Sequence, residues 1–235
     1  MLLDHDVLID AGTGVGELTL SELKAIDHVF LTHSHLDHVA TIPFVLDTVG
    51  QMRDRPLIVH GLPATIDALR THIFNWKIWP DFTEIPSHEA PYLRFETIAV
   101  GETKELDGGR RITALPANHV VPAVGYHLDS GAGSLVYTGD TTANPALWPL
   151  LNAIENLRCL IIECAFSNGE RDLAKVAKHL CPSMLAGELR QLKHKVDVYI
   201  THLKAGEAES TMAEIEAEAA SYAPRMLQNG QVITF

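Results

Sequence analysis

Four apolar stretches of this chain each stop on a metal-ligand residue. Asp27 to Leu31 leads into Thr32-His33-Ser34-His35-Leu36-Asp37-His38, and Arg111 to Leu115 leads through Pro116-Ala117-Asn118 to His119. Leu135 to Thr138 leads through Gly139 to Asp140, and Val196 to Thr201 stops on His202. Such a chain needs a fold that gathers strand ends, as layered α/β proteins do. The first stretch is the densest, with three imidazoles and a carboxylate in six positions. A core gains nothing from them, because each buried imidazole demands hydrogen-bond partners. A solvated polar loop is the alternative, but it does not explain why the same residue types recur at three more strand ends. Residues two apart in an extended run point the same way, so His33 and His35 can share one ion. Asp37 and His38 lie past the turn and point towards a second. The remaining histidines, His5, His28, His60, His72, His88, His127, His179 and His194, read as surface or structural residues.

The rest of the chain reads as strands alternating with helices around an antiparallel middle, one domain over residues 1–235. Strands are expected at 7–10, 28–31, 57–60, 93–100, 111–115, 123–128, 135–138, 160–163, 196–201 and 231–235. Helices are expected at 42–49, 63–73, 145–154, 170–179, 182–192 and 209–222, four of them opened by Pro43, Pro63, Pro145 or Pro182. That pattern predicts helix on sheet on sheet on helix. The segment Phe74 to Leu93, with Trp76, Trp79, Pro80, Pro86 and Pro91, is the longest irregular one, and loops of that kind are commonly functional. Apolar residues at 46% and charged residues at 20% describe a globule with no run long enough to span a bilayer. The start has no basic-then-apolar leader, so a cytoplasmic protein is expected, or a periplasmic one if the N-terminus is truncated. Cys159, Cys164 and Cys181 are too few for a disulfide framework and read as core. A net charge of −12 and no Lys/Arg stripe argue against long nucleic acid as partner. A small anionic substrate stays compatible, because bound divalent ions dominate the local field.

The ligand pattern resembles the metallo-β-lactamase-fold hydrolases. Thr-His33-Ser-His35-Leu-Asp37-His38 matches that superfamily's first motif, and His119, Thr-Gly-Asp140 and Thr-His202 match the later ones in order, from about Val7 to Phe235. The segments His72 to Phe82, Ile161 to Asn168 and Ile200 to Lys204 are similar to class II 3′,5′-cyclic-nucleotide phosphodiesterases. After His38 this chain reads Val39-Ala-Thr-Ile-Pro-Phe-Val-Leu-Asp47, which departs from that subfamily's pattern. The family's first strand is expected to be absent or altered, since Val7-Leu-Ile-Asp10-Ala-Gly12 follows so soon on Met1. A bare sheet edge would follow, and with it a homodimer.

The resemblance implies an αββα four-layer sandwich and two divalent ions, zinc by donor chemistry, with manganese or iron also compatible. His33, His35 and His119 would hold one ion, Asp37, His38 and His202 the other, and Asp140 would bridge them. A bridging hydroxide would attack phosphorus and expel the 3′ oxygen of a cyclic nucleotide, with Asp140 and Asp37 as the carboxylates of the reaction. No leaving-group acid is evident. Phe74, Trp76, Trp79 or Phe82 would stack a base, with Asn75 or Asn168 reading its edge. Asn118 and Thr141 would orient ligands, and Lys204 would meet a phosphate oxygen. The same site on another member would serve an arylsulfatase, a lactonase, a thioesterase or a small-RNA phosphodiesterase, and a non-catalytic metal-binding module is the reading from another class.

Overall fold

Short runs of β-branched and leucine side chains build the first sheet. The computed structural model describes residues 1–235, which divide into two compact units, Met1–Ala99 and Val100–Phe235. The first unit runs β1 (Leu2–Leu3), β2 (Val7–Ile9), α1 (Leu20–Ala25), β3 (His28–Phe30), α2 (Leu36–Val39), α3 (Ile42–Val49), β4 (Leu57–Gly61), α4 (Pro63–His72) and β5 (Leu93–Thr97). Its sheet has the order β1-β2-β3-β4-β5, parallel throughout except for the antiparallel β1. On α3, Ile42, Val45, Leu46 and Val49 recur at helical spacing and are all buried, so one face enters a core with Leu8, Val29, Leu57, Val59 and Leu93. The edge expected to be bare is covered, because Leu2 and Leu3 pair with Leu8 and Val7. That removes the physical reason for expecting a homodimer. Helix α1 has no buried residue, so periodicity hides it; a capping box between Thr19 and Glu22 starts it instead.

The second unit runs β6 (Thr103–Glu105), β7 (Arg111–Pro116), β8 (Val124–Asp129), β9 (Ser134–Tyr137), α5 (Leu147–Leu151), β10 (Leu157–Glu163), α6 (Arg171–Ala177), α7 (Pro182–Leu189), β11 (Asp197–Thr201), α8 (Ala208–Ala219) and β12 (Arg225–Met226). The sheet order is β12-β11-β10-β9-β8-β7-β6, antiparallel from β6 to β9 and parallel from β9 to β12. Leu160, Ile162, Val198 and Ile200 bury against Leu185, Leu189, Met212 and Ile215 of the helices. The last strand is not at Gln231–Phe235 as expected. Arg225 and Met226 pair with Tyr199 and Ile200, and the chain then turns at Gly230 with φ +70°. Phe235 instead lies against Gly133, where a Cβ would come within 2.6 Å of the Phe235 carbonyl carbon.

The β8–β9 hairpin closes on one carboxylate. Asp129 accepts from Arg111 Nη2 at 2.5 Å, Gly131 N at 2.9 Å and Asn156 Nδ2 at 3.1 Å. Desolvation alone would raise its pKa, but these donors outweigh it and hold the carboxyl well below the usual range. The three cysteines are free and buried, in keeping with core packing. No helix is long and apolar enough to cross a membrane.

Candidate metal centre

In the first unit, the donors follow directly on β3. Thr32 to His35 lies outside regular structure, and α2 begins at Leu36, which places Asp37 and His38 on its first turns. His33 and His38 are buried, His35 is partly so, and Asp37 is exposed. The rings cluster: His33 lies 4.6 Å from His35 and 4.2 Å from His38, centroid to centroid. One buried carboxylate orders this loop. Asp10 accepts from Thr32 N at 2.8 Å, from Thr32 Oγ1 at 2.8 Å and from His38 Nδ1 at 2.7 Å. His38 therefore carries its proton on Nδ1, and Nε2, 3.6 Å from Asp37 Oδ2, is the nitrogen with a lone pair. Asp10 itself has φ +56°, a strained conformation held by those three bonds. Two residues on, Gly12 is obligatory, since a Cβ would stand 2.1 Å from the Asp37 carbonyl oxygen.

In the second unit, the donors arrive from separate segments. Gly139 at φ +59° turns the chain after β9 and delivers Asp140, which is 2% exposed. His202, at φ +64°, ends β11 and brings Nε2 to 3.3 Å from Asp140 Oδ2. His119 ends the loop after β7. Asn118 N donates to Thr141 Oγ1, Thr142 N donates to the Asn118 carbonyl, and Asn118 Nδ2 donates to the Ala143 carbonyl. Those bonds tie the loop that carries His119 to the loop that carries Asp140. His119 Nδ1 donates to the Lys178 carbonyl at 3.1 Å, again placing the lone pair on Nε2.

A histidine read from the sequence as structural belongs here. His179, Asp140 and His202 offer ligand-type atoms within 4.8 Å of one another. Its Nδ1 donates to Glu163 Oε1 at 2.7 Å. Glu163 is fully buried, and also accepts from Thr141 N at 2.9 Å and Leu180 N at 3.2 Å. Burial pushes Glu163 up. Burial would lower His179, but the hydrogen bond and charge of Glu163 outweigh it and raise its pKa. The available signal was Glu163 itself, an acidic residue closing the apolar run Leu160-Ile161-Ile162 where a strand interior has no use for charge.

The donors fit divalent ions. Imidazoles and carboxylates suit zinc, manganese or iron, and His38 and His119 each have the distal nitrogen free of its proton because a carboxylate or carbonyl holds the other, as metal-binding histidines require.

The residues expected to touch substrate divide. Phe74 is 2% and Phe82 6% exposed, both packed in the first unit's core. Trp76 is 62% exposed at φ +62°, and Trp79 meets the exposed Phe44 edge to face with centroids 5.1 Å apart. Asn75 builds its own turn, donating to the Thr71 carbonyl and accepting from Lys77 N and Ile78 N. Asn168 Nδ2 donates to Glu218 Oε1 and its Oδ1 accepts from Ser183 N, so both ends of its amide are engaged in the fold. Lys204 lies over the Phe166 ring, with Nζ 4.1 Å from the centroid.

Comparison with known proteins shows the family and the fold. The sequence profile of the family described as Beta-lactamase superfamily domain matches residues 5–222. A probable 3′,5′-cyclic-nucleotide phosphodiesterase of Yersinia pestis is 27% identical over 205 residues, covering 77% of this chain. The chain spans 58% of that relative's length. A ribonuclease Z of Halorubrum lacusprofundi is 31% identical over 127 residues, 52% of this chain and 38% of that protein. Among solved structures, unliganded yeast PDE1 superposes with a TM-score of 0.76 at 20% identity, over 89% of this chain and 69% of that one. The metallo-β-lactamase fold protein YhfI of Bacillus subtilis gives 0.71 at 19% identity, over 94% and 82%. With its two sheets, its flanking helices and its histidine and aspartate donors at strand ends, the chain belongs to the β-lactamase superfamily domain family and has the metallo-β-lactamase fold.

Proposed function

We propose that the chain is a metal-dependent phosphodiesterase that opens 3′,5′-cyclic nucleotides such as cAMP or cGMP. The observation that carries the reading is the Glu163–His179 pair beside Asp140 and His202, a proton-handling group next to metal-ligand residues. Its substrate class is supported by relatives in Yersinia pestis and Aliivibrio fischeri named as cyclic-nucleotide phosphodiesterases, at 27% and 26% identity. In this reading His33, His35 and His119 would hold one ion and Asp37, His38 and His202 a second, with Asp140 as a further donor. Bound divalent ions would supply Lewis acidity at phosphorus and a lowered pKa for water.

The chain's own groups do the rest. Asp10 and the Lys178 carbonyl fix the ring orientation of His38 and His119. Asp140 orients the attacking water through its carboxylate. His179, held at Nδ1 by Glu163, hands the proton on Nε2 to the departing 3′ oxygen, filling the role of leaving-group acid. Oxygen from water bonds to phosphorus, the bond from phosphorus to the 3′ oxygen breaks, the proton shed by the water restores the one His179 gave up, and the product is a 5′-monophosphate with a free 3′ hydroxyl. Exposed Trp76, with Trp79, offers the apolar surface for a base.

A second reading, cleavage of RNA phosphodiesters, is favoured by the ribonuclease Z relative and opposed by the net charge of −12. The test is turnover by metal-loaded protein on cAMP, cGMP, bis(p-nitrophenyl) phosphate, a precursor RNA, p-nitrophenyl sulfate and a lactone. Cyclic-nucleotide turnover well above the others is expected. RNA cleavage exceeding it would favour the second reading. Faster sulfate or lactone hydrolysis would move the chain to another hydrolase class, and no turnover with full metal content would leave a metal-binding module.

A further inference from the structure

We propose that Lys178, which belongs to no ligand motif, is a positioning residue that clasps His119 at two points. Its carbonyl accepts from His119 Nδ1 at 3.1 Å, and its ammonium Nζ donates to the His119 carbonyl oxygen at 3.0 Å. One residue thus fixes both the ring and the backbone of a single histidine 59 positions away.

The backbone of Lys178 makes the case that this is more than a helix end. Lys178 terminates α6 in the left-handed region, with φ +54° and ψ +49°. Glycine is the residue that helices favour there, and a side chain in that conformation costs free energy. The left-handed turn sends the chain back so that the Lys178 carbonyl faces His119, while His179 pairs with Glu163. Glycine would make that turn with less strain and keep the carbonyl, but it would lose the ammonium. The lysine side chain therefore has a use that capping does not explain, and the structure gives it one partner, the His119 carbonyl. The loop before His119 is tied to residues 141–143 through Asn118, so Lys178 secures the other side of the same loop.

The consequence is chemical. A neutral imidazole binds an ion through whichever nitrogen lacks the proton, and a partner that fixes the proton raises ligand quality. The clasp keeps the proton of His119 on Nδ1 and holds Nε2 in a single direction. The inference deepens the metal-dependent reading above and rests on it only for its metal arm.

The test compares wild type with Lys178→Gly and Lys178→Arg in the full chain. Zinc affinity by chelator competition is expected to fall roughly 10–100-fold in Lys178→Gly, the range typical of groups that orient a ligand. Lys178→Arg, which restores a cationic donor, is expected to recover most of it. The metal-free melting temperature of Lys178→Gly is expected to equal or exceed wild type, because the left-handed strain is relieved. Long-range ¹H–¹⁵N spectra of metal-free protein are expected to place the His119 proton on Nδ1 in wild type and, because the carbonyl is kept, in Lys178→Gly as well, but with exchange-broadened ring signals in Lys178→Gly, where the backbone of His119 has lost its ammonium donor. Unchanged zinc affinity and equally sharp His119 ring signals in Lys178→Gly would overturn the inference. So would a loss of affinity matched by a lower metal-free melting temperature, which would reduce Lys178 to a structural cap. If wild type takes up no zinc, the metal-dependent reading fails, and the width of the His119 ring signals still decides the role of Lys178.

Discussion

In Met1–Ala99 four candidate ligands sit within six consecutive residues, and one carboxylate, Asp10, orders the loop that carries them. In Val100–Phe235 the corresponding residues come from the ends of β7, β9 and β11 and the turn after α6, up to 83 positions apart (His202 less His119), and ordering falls to Glu163 and Lys178. A contiguous set is fixed by local geometry: a turn, a glycine that admits the Asp37 carbonyl, and a short helix. A dispersed set can be fixed only by side chains that reach between segments. Glu163 does so by receiving Thr141 N, His179 Nδ1 and Leu180 N at once. Mutations should therefore act locally in the first set and propagate in the second.

The largest effect expected is on the dispersed side. His179→Ala should lower kcat by roughly 10²–10⁴-fold, the range of general acid catalysis, while metal content by elemental analysis stays at the wild-type value. If metal leaves together with activity, His179 is a ligand and the proton-donor role is wrong. Glu163→Gln should lower kcat in the same direction, because the amide cannot support a positive imidazole as the carboxylate does.

Within the first unit, the aromatic segment supplies the next test. Phe74→Ala should cost about 3–5 kcal/mol of stability, as for other buried phenylalanines. Trp76→Ala should change stability by about 0.5 kcal/mol or less, since its ring is largely in solvent. If Trp76 receives the base, its loss raises KM for cAMP more than it lowers kcat. An unaltered KM would leave the exposed tryptophan without a part in substrate binding.

Asp10→Ala probes the contiguous set directly. Zinc affinity should fall roughly 10–100-fold as His38 loses the partner of its Nδ1, and the metal-free melting temperature should fall with it, since Thr32 N and Oγ1 lose their acceptor too. Equal losses for Asp10→Ala and Lys178→Gly would place the two ordering devices on a par. A much larger loss at Asp10 would mean that the contiguous set dominates uptake.

Much of this was legible in the residues. The apolar runs that stop on His33, His119, Asp140 and His202 located strands and ligand types together, because both follow from local order in the chain. Helix α3 was readable from end to end, with Pro43 in its first turn and an apolar stripe behind it. Short elements escaped for a physical reason. Leu2–Leu3, Thr103–Glu105 and Arg225–Met226 are two or three residues long, and a period of two needs more residues to declare itself. His179 escaped because its meaning lies in Glu163, 16 positions earlier, and in no neighbour along the chain. Asn75 and Asn168 looked like recognition groups, but an amide that can read a base can equally cap a turn or tie two segments, and theirs do.

The smallest effect tests whether the second unit's stability depends on charge away from the ligands. Asp129 carries a lowered pKa because Arg111, Gly131 N and Asn156 outweigh the burial that would raise it. A carboxyl whose folded pKa lies below its unfolded value of about 3.9 stabilises the fold above that value, and the contribution is lost as pH falls below it. Asp129→Asn should therefore melt lower than wild type at pH 7, by about 2–4 °C for each kcal/mol lost at this chain length. The gap should narrow below about pH 4, as the carboxyl of the unfolded wild-type chain takes up a proton that the folded chain still refuses. Thermal melts of both proteins from pH 7 to pH 3 measure it. A gap that stays constant across that range would mean that shape and hydrogen bonding at position 129 matter, and its charge does not.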